Sequence, residues 1–256
     1  MLARLTACLA ILLFCITGAA RSADIQVAVA ANFAEPMKRI VTAFEKSTRH
    51  KVLVSTGATG RFYAQIRSGA PFEALLAADQ ETPERLEKDR LAVSGTRFTY
   101  ATGRLVLWSA KDAIVDARGE VLKRGGFDHI AIANPKLAPY GAAAVAALKS
   151  IGAYDAISAK FVTGENIAQA HQFVSSGNAL LGFVALPQVL GEDGKLKSGS
   201  MWIVPDSAYP PIRQDAVLLN PGRDSAAARA LLAFVKSAEA QRIIRNWGYT
   251  AGQPAP

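Results

Sequence analysis

Three histidines, two cysteines and one strand-end carboxylate are the side chains of this chain best suited to covalent or metal chemistry. Their spacing supports neither. His50, His129 and His171 lie far apart and fit no ligand or triad spacing, so each reads as a surface or helix-face residue. The sequence has no H-E-x-x-H, no G-x-S-x-G and no S-x-x-K. Cys8 and Cys15 both fall near the N-terminus, and no thiol follows them. Asp79 ends an apolar run, at the carboxyl end of an expected strand, where functional groups gather. Capping a helix or loop is its plainer role. No metal ion and no cofactor is expected. A secreted hydrolase using Asp79 is the alternative from a different class, and the lack of a nucleophile–base pair speaks against it.

A different pattern recurs four times. Ile25-Gln26-Val27-Ala28-Val29-Ala30 is an apolar, β-branched run suited to a strand covered on both faces. Met37, Ile40, Val41 and Phe44 then fall at i, i+3, i+4 and i+7, one face of a helix. At the join, Asn32 reads as N-cap, Glu35 as its capping-box partner and Pro36 as a first-turn proline. The device returns with Thr59 as N-cap after Lys51–Ser55, with Tyr140 after Ile130–Ala133, and with Asn166-Ile167 after Phe161–Thr163. Each start offers orphan N–H groups and a partial positive charge of ~0.5 e. Neutral N–H and O–H donors hold a small oxyanion reversibly, without a Lys or Arg counter-charge. Taken singly, each start is also an ordinary helix cap.

The elements that must bring these starts together alternate strand and helix along the chain. The class is therefore α/β, with mixed, mostly parallel sheets and helices on both faces. Phe98–Trp108 is a β-prone stretch with Gly103 near its middle, read as the outgoing connection between two lobes. Ile203–Pro205 and Asp215–Leu219 read as a returning strand pair around Tyr209-Pro210-Pro211, and a helix from Ser225 closes the chain. The lobes are expected at 24–103 with 206–256, and at 104–205. Two of the four helix starts precede the outgoing crossing and two follow it.

With 256 residues, half of them hydrophobic, the chain can build a large core. Arg4, the uncharged apolar stretch Leu5–Gly18 and the small residues Ala19, Ala20, Ser22 and Ala23 read as a secretory signal over 1–23. Cleavage is expected after Ala20, Ser22 or Ala23, and the apolar stretch is short for a membrane anchor. A soluble, periplasmic mature protein follows, without disulfides because both cysteines lie in the signal. The formal charge is +8 over the whole sequence. Its basic residues are scattered, with no Lys/Arg run and no aromatic interleaving, so nucleic acid is not an expected partner. A monomer is expected.

The motifs Val29-Ala30-Ala31-Asn32-Phe33, Gly57-Ala58-Thr59-Gly60-Arg61-Phe62-Tyr63-Ala64-Gln65-Ile66 and Gly69-Ala70-Pro71-Phe72-Glu73 occur in order. Ala77-Ala78-Asp79, Asn134-Pro135, Pro139-Tyr140-Gly141, Leu181-Gly182-Phe183-Val184 and Trp247-Gly248-Tyr249 follow. Together they resemble the periplasmic molybdate-binding proteins that deliver oxyanion to an ABC transporter, over essentially the whole mature chain. The resemblance implies a two-lobed, type II periplasmic binding protein that closes over molybdate or tungstate and passes it to a membrane permease. Sulfate or another oxyanion is the alternative within the same fold. By position, Asn32 and Thr59 would be hydroxyl or amide donors of the first lobe. Tyr140 and Ile167 would give backbone N–H groups from the second. Some members carry a tyrosine where this chain has Ala185. The Tyr140 hydroxyl is expected to supply that donor from across the cleft.

Overall fold

The apolar run after Ala23 forms the strand expected of it. The computed structural model describes residues 24–251, so the expected signal segment lies outside the described residues. In chain order the elements begin β1 (Asp24–Ala30), α1 (Ala34–Ser47), β2 (Lys51–Gly57), α2 (Thr59–Arg67), β3 (Ala74–Leu76), α3 (Glu81–Lys88) and β4 (Phe98–Gly103). The middle holds β5 (Leu105–Ser109), α4 (Val121–Arg124), β6 (Ile130–Ala133), α5 (Pro139–Ser150), α6 (Tyr154–Ile157), β7 (Phe161–Gly164), α7 (Ile167–Ser175), β8 (Leu181–Ala185), α8 (Leu186–Val189) and β9 (Ser200–Ile203). The end is β10 (Ile212–Leu218), α9 (Ala226–Lys236), α10 (Ala238–Asn246) and β11 (Thr250–Ala251).

Two sheets result, in the orders β11-β4-β10-β3-β1-β2 and β7-β6-β8-β5-β9. Ile25, Val27, Ala28 and Val29 are fully buried, which is what a strand covered on both faces requires. Met37, Ile40 and Phe44 turn the inner face of α1 onto the first sheet, together with Leu231 and Val235 of α9. The second sheet has its own core around Leu107, Ile132, Leu148 and Phe183. The molecule is thus α/β and two-lobed, the type II binding-protein architecture.

Each sheet is mixed. β2, β1 and β3 are parallel neighbours, as are β7, β6 and β8. The antiparallel share is larger than expected, because β4 and β10 lie side by side in one sheet and β5 and β9 in the other. Two chain crossings impose this. β4 ends at Gly103 in the first sheet and β5 begins at Leu105 in the second. β9 and β10 likewise fall in different sheets, so Ile203–Pro205 and Asp215–Leu219 are not the hairpin-like pair expected. Pro205, Pro210 and Pro211 lie between them, and a proline cannot donate to a ladder.

Candidate functional site

The carboxyl end of β1 winds into a 3-10 turn at Ala31–Phe33 before α1 begins, so Asn32 is not the N-cap. Phe33 holds that place, with no side-chain cap. The turn follows from burying Phe33 against Tyr100 and Tyr249, with ring centroids 4.7 and 5.5 Å away. Glu35 pairs with Lys38 at 2.6 Å and closes no capping box. The Asn32 side chain turns inward. Its Nδ2 donates to Gln214 Oε1 and to the Tyr249 hydroxyl, both at 2.9 Å. Both amide protons are thereby used, and what Asn32 can offer a ligand is its backbone N–H, unclaimed by the turn.

Thr59 is the first residue of α2, with Ala58 at the N-cap. Its Oγ1 accepts the Ala78 N–H at 3.0 Å. That bond leaves the Thr59 O–H to donate elsewhere. In the other lobe, α5 opens with Pro139, and the Tyr140 N–H at the second helical position has no intrahelical acceptor. Asn166 caps α7 as expected, its Oδ1 accepting from Ala168 N at 2.9 Å and Gln169 N at 3.1 Å. The cap does not claim the Ile167 N–H.

These four starts line one cavity. It is also walled by Ala30, Gly57, Ala78 and Ala138, and none of its lining residues is charged. A water-sized sphere has room for its centre over only about 10 Å³ there. The space is compact and has no room for an extended organic molecule. The N-termini of α2, α5 and α7 all point their partial positive charge at it. A larger cavity of about 610 Å³ abuts it, sharing Ala78, Ala138 and Pro139. The wall of that larger space carries charges of both signs, Asp79 and Glu81 beside Arg85, Lys136 and Arg213. The small cavity is the better-built site.

The Tyr140 hydroxyl is engaged as an acceptor, which leaves its own O–H proton to donate. It accepts from Gln214 Nε2 at 3.2 Å and lies against Gly103 at the strand crossing, where any Cβ would collide with it. Burial pushes the hydroxyls of Tyr100, Tyr140 and Tyr249 well above the usual tyrosine range, so all three stay neutral. Asp79 takes the plainer of its two roles, accepting from Thr82 N at 2.9 Å and Thr82 Oγ1 at 3.2 Å at the start of α3. His171 stacks on Trp108 at 4.9 Å, and none of the three histidines lines the small cavity.

Gln214, Tyr100 and Tyr249 are the site's supporting residues that sequence reasoning passed over. They reach Asn32 or one another across separations of 114 to 217 residues. The one local signal was the polar pair Gln214-Asp215 directly ahead of the apolar Ala216-Val217-Leu218.

The fold agrees with what the chain is similar to. A family model described as bacterial extracellular solute-binding protein matches residues 25–250. The molybdate-binding protein ModA of Azotobacter vinelandii is 58% identical over 231 residues, covering 90% of this chain and 91% of that protein. The molybdate-binding protein ModA of Rhodobacter capsulatus is 50% identical over 230 residues, covering 90% of this chain and 89% of that protein. A solved structure of the Azotobacter vinelandii periplasmic molybdate-binding protein superposes with a TM-score of 0.87 at 41% identity, covering 90% of this chain and all of that one. The chain belongs to the bacterial extracellular solute-binding proteins and, within them, to the molybdate-binding ModA family.

Proposed function

We propose that this protein captures molybdate or tungstate in the periplasm and hands it to the permease of an ABC transporter, without chemical change to the anion. The observation that carries the reading is a small cavity with an uncharged lining where three helix N-termini and the Asn32 turn converge. A small oxyanion suits that field of N–H groups. Thr59 would donate its hydroxyl, and Asn32, Tyr140 and Ile167 their backbone N–H groups. A hydrogen bond to a charged acceptor is worth ~1.5–3 kcal/mol, so four such donors hold the anion firmly yet reversibly. The protein acts as a monomer with no resident cofactor or metal, molybdenum being present only within the bound oxyanion.

The two lobes, 24–103 with 206–256 and 104–205, would open and close about the strand crossings. Two links support a closing motion of this kind. The Gly60 N–H donates to Leu137 O at 2.9 Å, and Arg61 pairs with Glu165 at 2.9 Å. Thermal melting with molybdate, tungstate, sulfate and phosphate tests the reading. An anion at 100 times its dissociation constant raises stability by ~2.7 kcal/mol. Melting unmoved by saturating molybdate and tungstate refutes it, and a shift with sulfate alone reassigns the ligand.

A further inference from the structure

Asn32 and Tyr140 line the cavity from opposite lobes, and their side chains meet behind it on a single amide. Gln214 Oε1 accepts from Asn32 Nδ2 at 2.9 Å and from the Tyr100 hydroxyl at 2.9 Å. Gln214 Nε2 donates to the Tyr140 hydroxyl at 3.2 Å. The amide is fully buried, so every one of these bonds replaces water that cannot enter. Its place is set by an irregularity in the ladder. The register of β10 against β4 shifts between Gln214 and Asp215, so that Gln214 faces Ala101, Asp215 faces Thr99 and Tyr100 is the extra residue. Both members of the polar pair are buried as a result. Asp215 takes Arg97 at 2.8 Å and Thr99 at 2.6 Å, and Gln214 is left to the crossing. Glycine at 103 keeps the space between Gln214 and Tyr140 open, because a Cβ there would collide with both.

We infer that Gln214 is a positioning residue that couples the two halves of the site. It rests on the reading of Asn32 and Tyr140 as ligand-facing backbones. The amide sits on the first lobe and holds Asn32 in the same lobe through its oxygen. Through its nitrogen it holds Tyr140 at the head of α5 in the second. When the lobes close, the bond to Tyr140 forms and the orientation of Asn32 is fixed by the same group. Gln214 never touches the ligand. It lies behind the cavity, so it governs how long the closed state lasts and not how fast an anion arrives.

Stopped-flow and calorimetry with molybdate on wild type, Gln214→Leu, Tyr140→Phe and the double variant test this. Tyr140→Phe keeps the ring and the backbone N–H and removes only the acceptor of the Gln214 nitrogen. Its dissociation rate should rise at least fivefold with the association rate unchanged. Gln214→Leu should weaken binding at least tenfold in the wild-type background and less than threefold in the Tyr140→Phe background. Additive losses, or a dissociation rate unmoved by Tyr140→Phe, overturn the inference. If Gln214→Leu does not fold, Tyr140→Phe alone decides by the same criterion. Wild type that binds neither molybdate nor tungstate refutes the proposed ligand, and hydrogen exchange of the ligand-free protein then decides the coupling. Tyr140→Phe, made in one lobe, must speed exchange around Asn32 in the other, and unchanged exchange there overturns it.

Discussion

The backbone N–H of Gly60, second residue of α2, donates to the carbonyl of Leu137, in the loop ahead of α5, at 2.9 Å. A main-chain hydrogen bond thus joins the two lobes at the edge of the small cavity. A Cβ at Gly60 would stand 3.1 Å from Leu137 O and 3.2 Å from Leu137 Cα, so any other residue would push the Leu137 backbone back by a few tenths of an ångström. Gly60→Ala favours helix by up to about 1 kcal/mol and leaves each lobe intact. A slight opening of the lobes relieves the contact. The expected outcome is an unchanged or raised melting temperature with ligand affinity lowered several-fold. Melting and calorimetry on the same preparation check it, and unchanged affinity would show that the link does not limit closure.

Thr59→Ala should lose both affinity and stability. The hydroxyl's donation to the anion is worth ~1.5–3 kcal/mol, a tenfold to hundredfold loss in binding. The Ala78 N–H loses its acceptor in the same change, at a cost of about 1–3 kcal/mol to the fold. Thr59→Ser keeps both bonds and should bind within a few-fold of wild type. A serine variant as weak as the alanine one would assign the loss to packing of the methyl group.

Asn166 separates capping from charge. Asn166→Ala should lower stability by about 1 kcal/mol through the lost bonds to Ala168 and Gln169. It should change affinity less than threefold, because the Ile167 N–H remains. Asn166→Asp caps as well as asparagine, yet sets a negative charge beside the cavity. It should keep its melting temperature and bind an anion more than tenfold more weakly. Equal affinity for the Asp variant and wild type would argue against an anionic ligand.

Asp79 gives a pH signature. Burial pushes its carboxyl up, against the lowering effect of the two Thr82 bonds. The folded state therefore keeps the proton to higher pH than the unfolded chain. Its contribution to stability is greatest below the unfolded pKa and falls as pH rises through the folded one. Asp79→Asn retains an oxygen to accept the Thr82 N–H and should lose that decline. Melting curves taken across the acid range check it. The variant should gain on wild type as pH increases, and parallel curves would show that the charge is immaterial.

Much of this protein could be read from local pattern. A both-faces-buried strand announces itself as an apolar run, and Val27–Ala30 does so because neither face of it meets water. The face of α1 is written in the spacing of Met37, Ile40 and Phe44. Asn166 was legible as a cap because a cap bonds N–H groups two or three residues away. The same local logic misplaced the caps at Asn32 and Thr59 by one residue each. In both, a tertiary demand won: Phe33 packs on Tyr100 and Tyr249, and Thr59 is claimed by the Ala78 N–H.

The amino-acid order by itself determined the α/β alternation, the four helix starts and their neutral, anion-suited chemistry, since each depends on neighbours within a few residues. Only the tertiary structure decided which groups of those residues face the cavity. The side chains of Asn32 and Tyr140 meet on Gln214, 182 and 74 residues distant. No periodicity encodes such a meeting. It exists because two sheets cross at Gly103, a shifted register turns Gln214 inward, and a buried amide must bond to whatever polar groups the fold brings within reach.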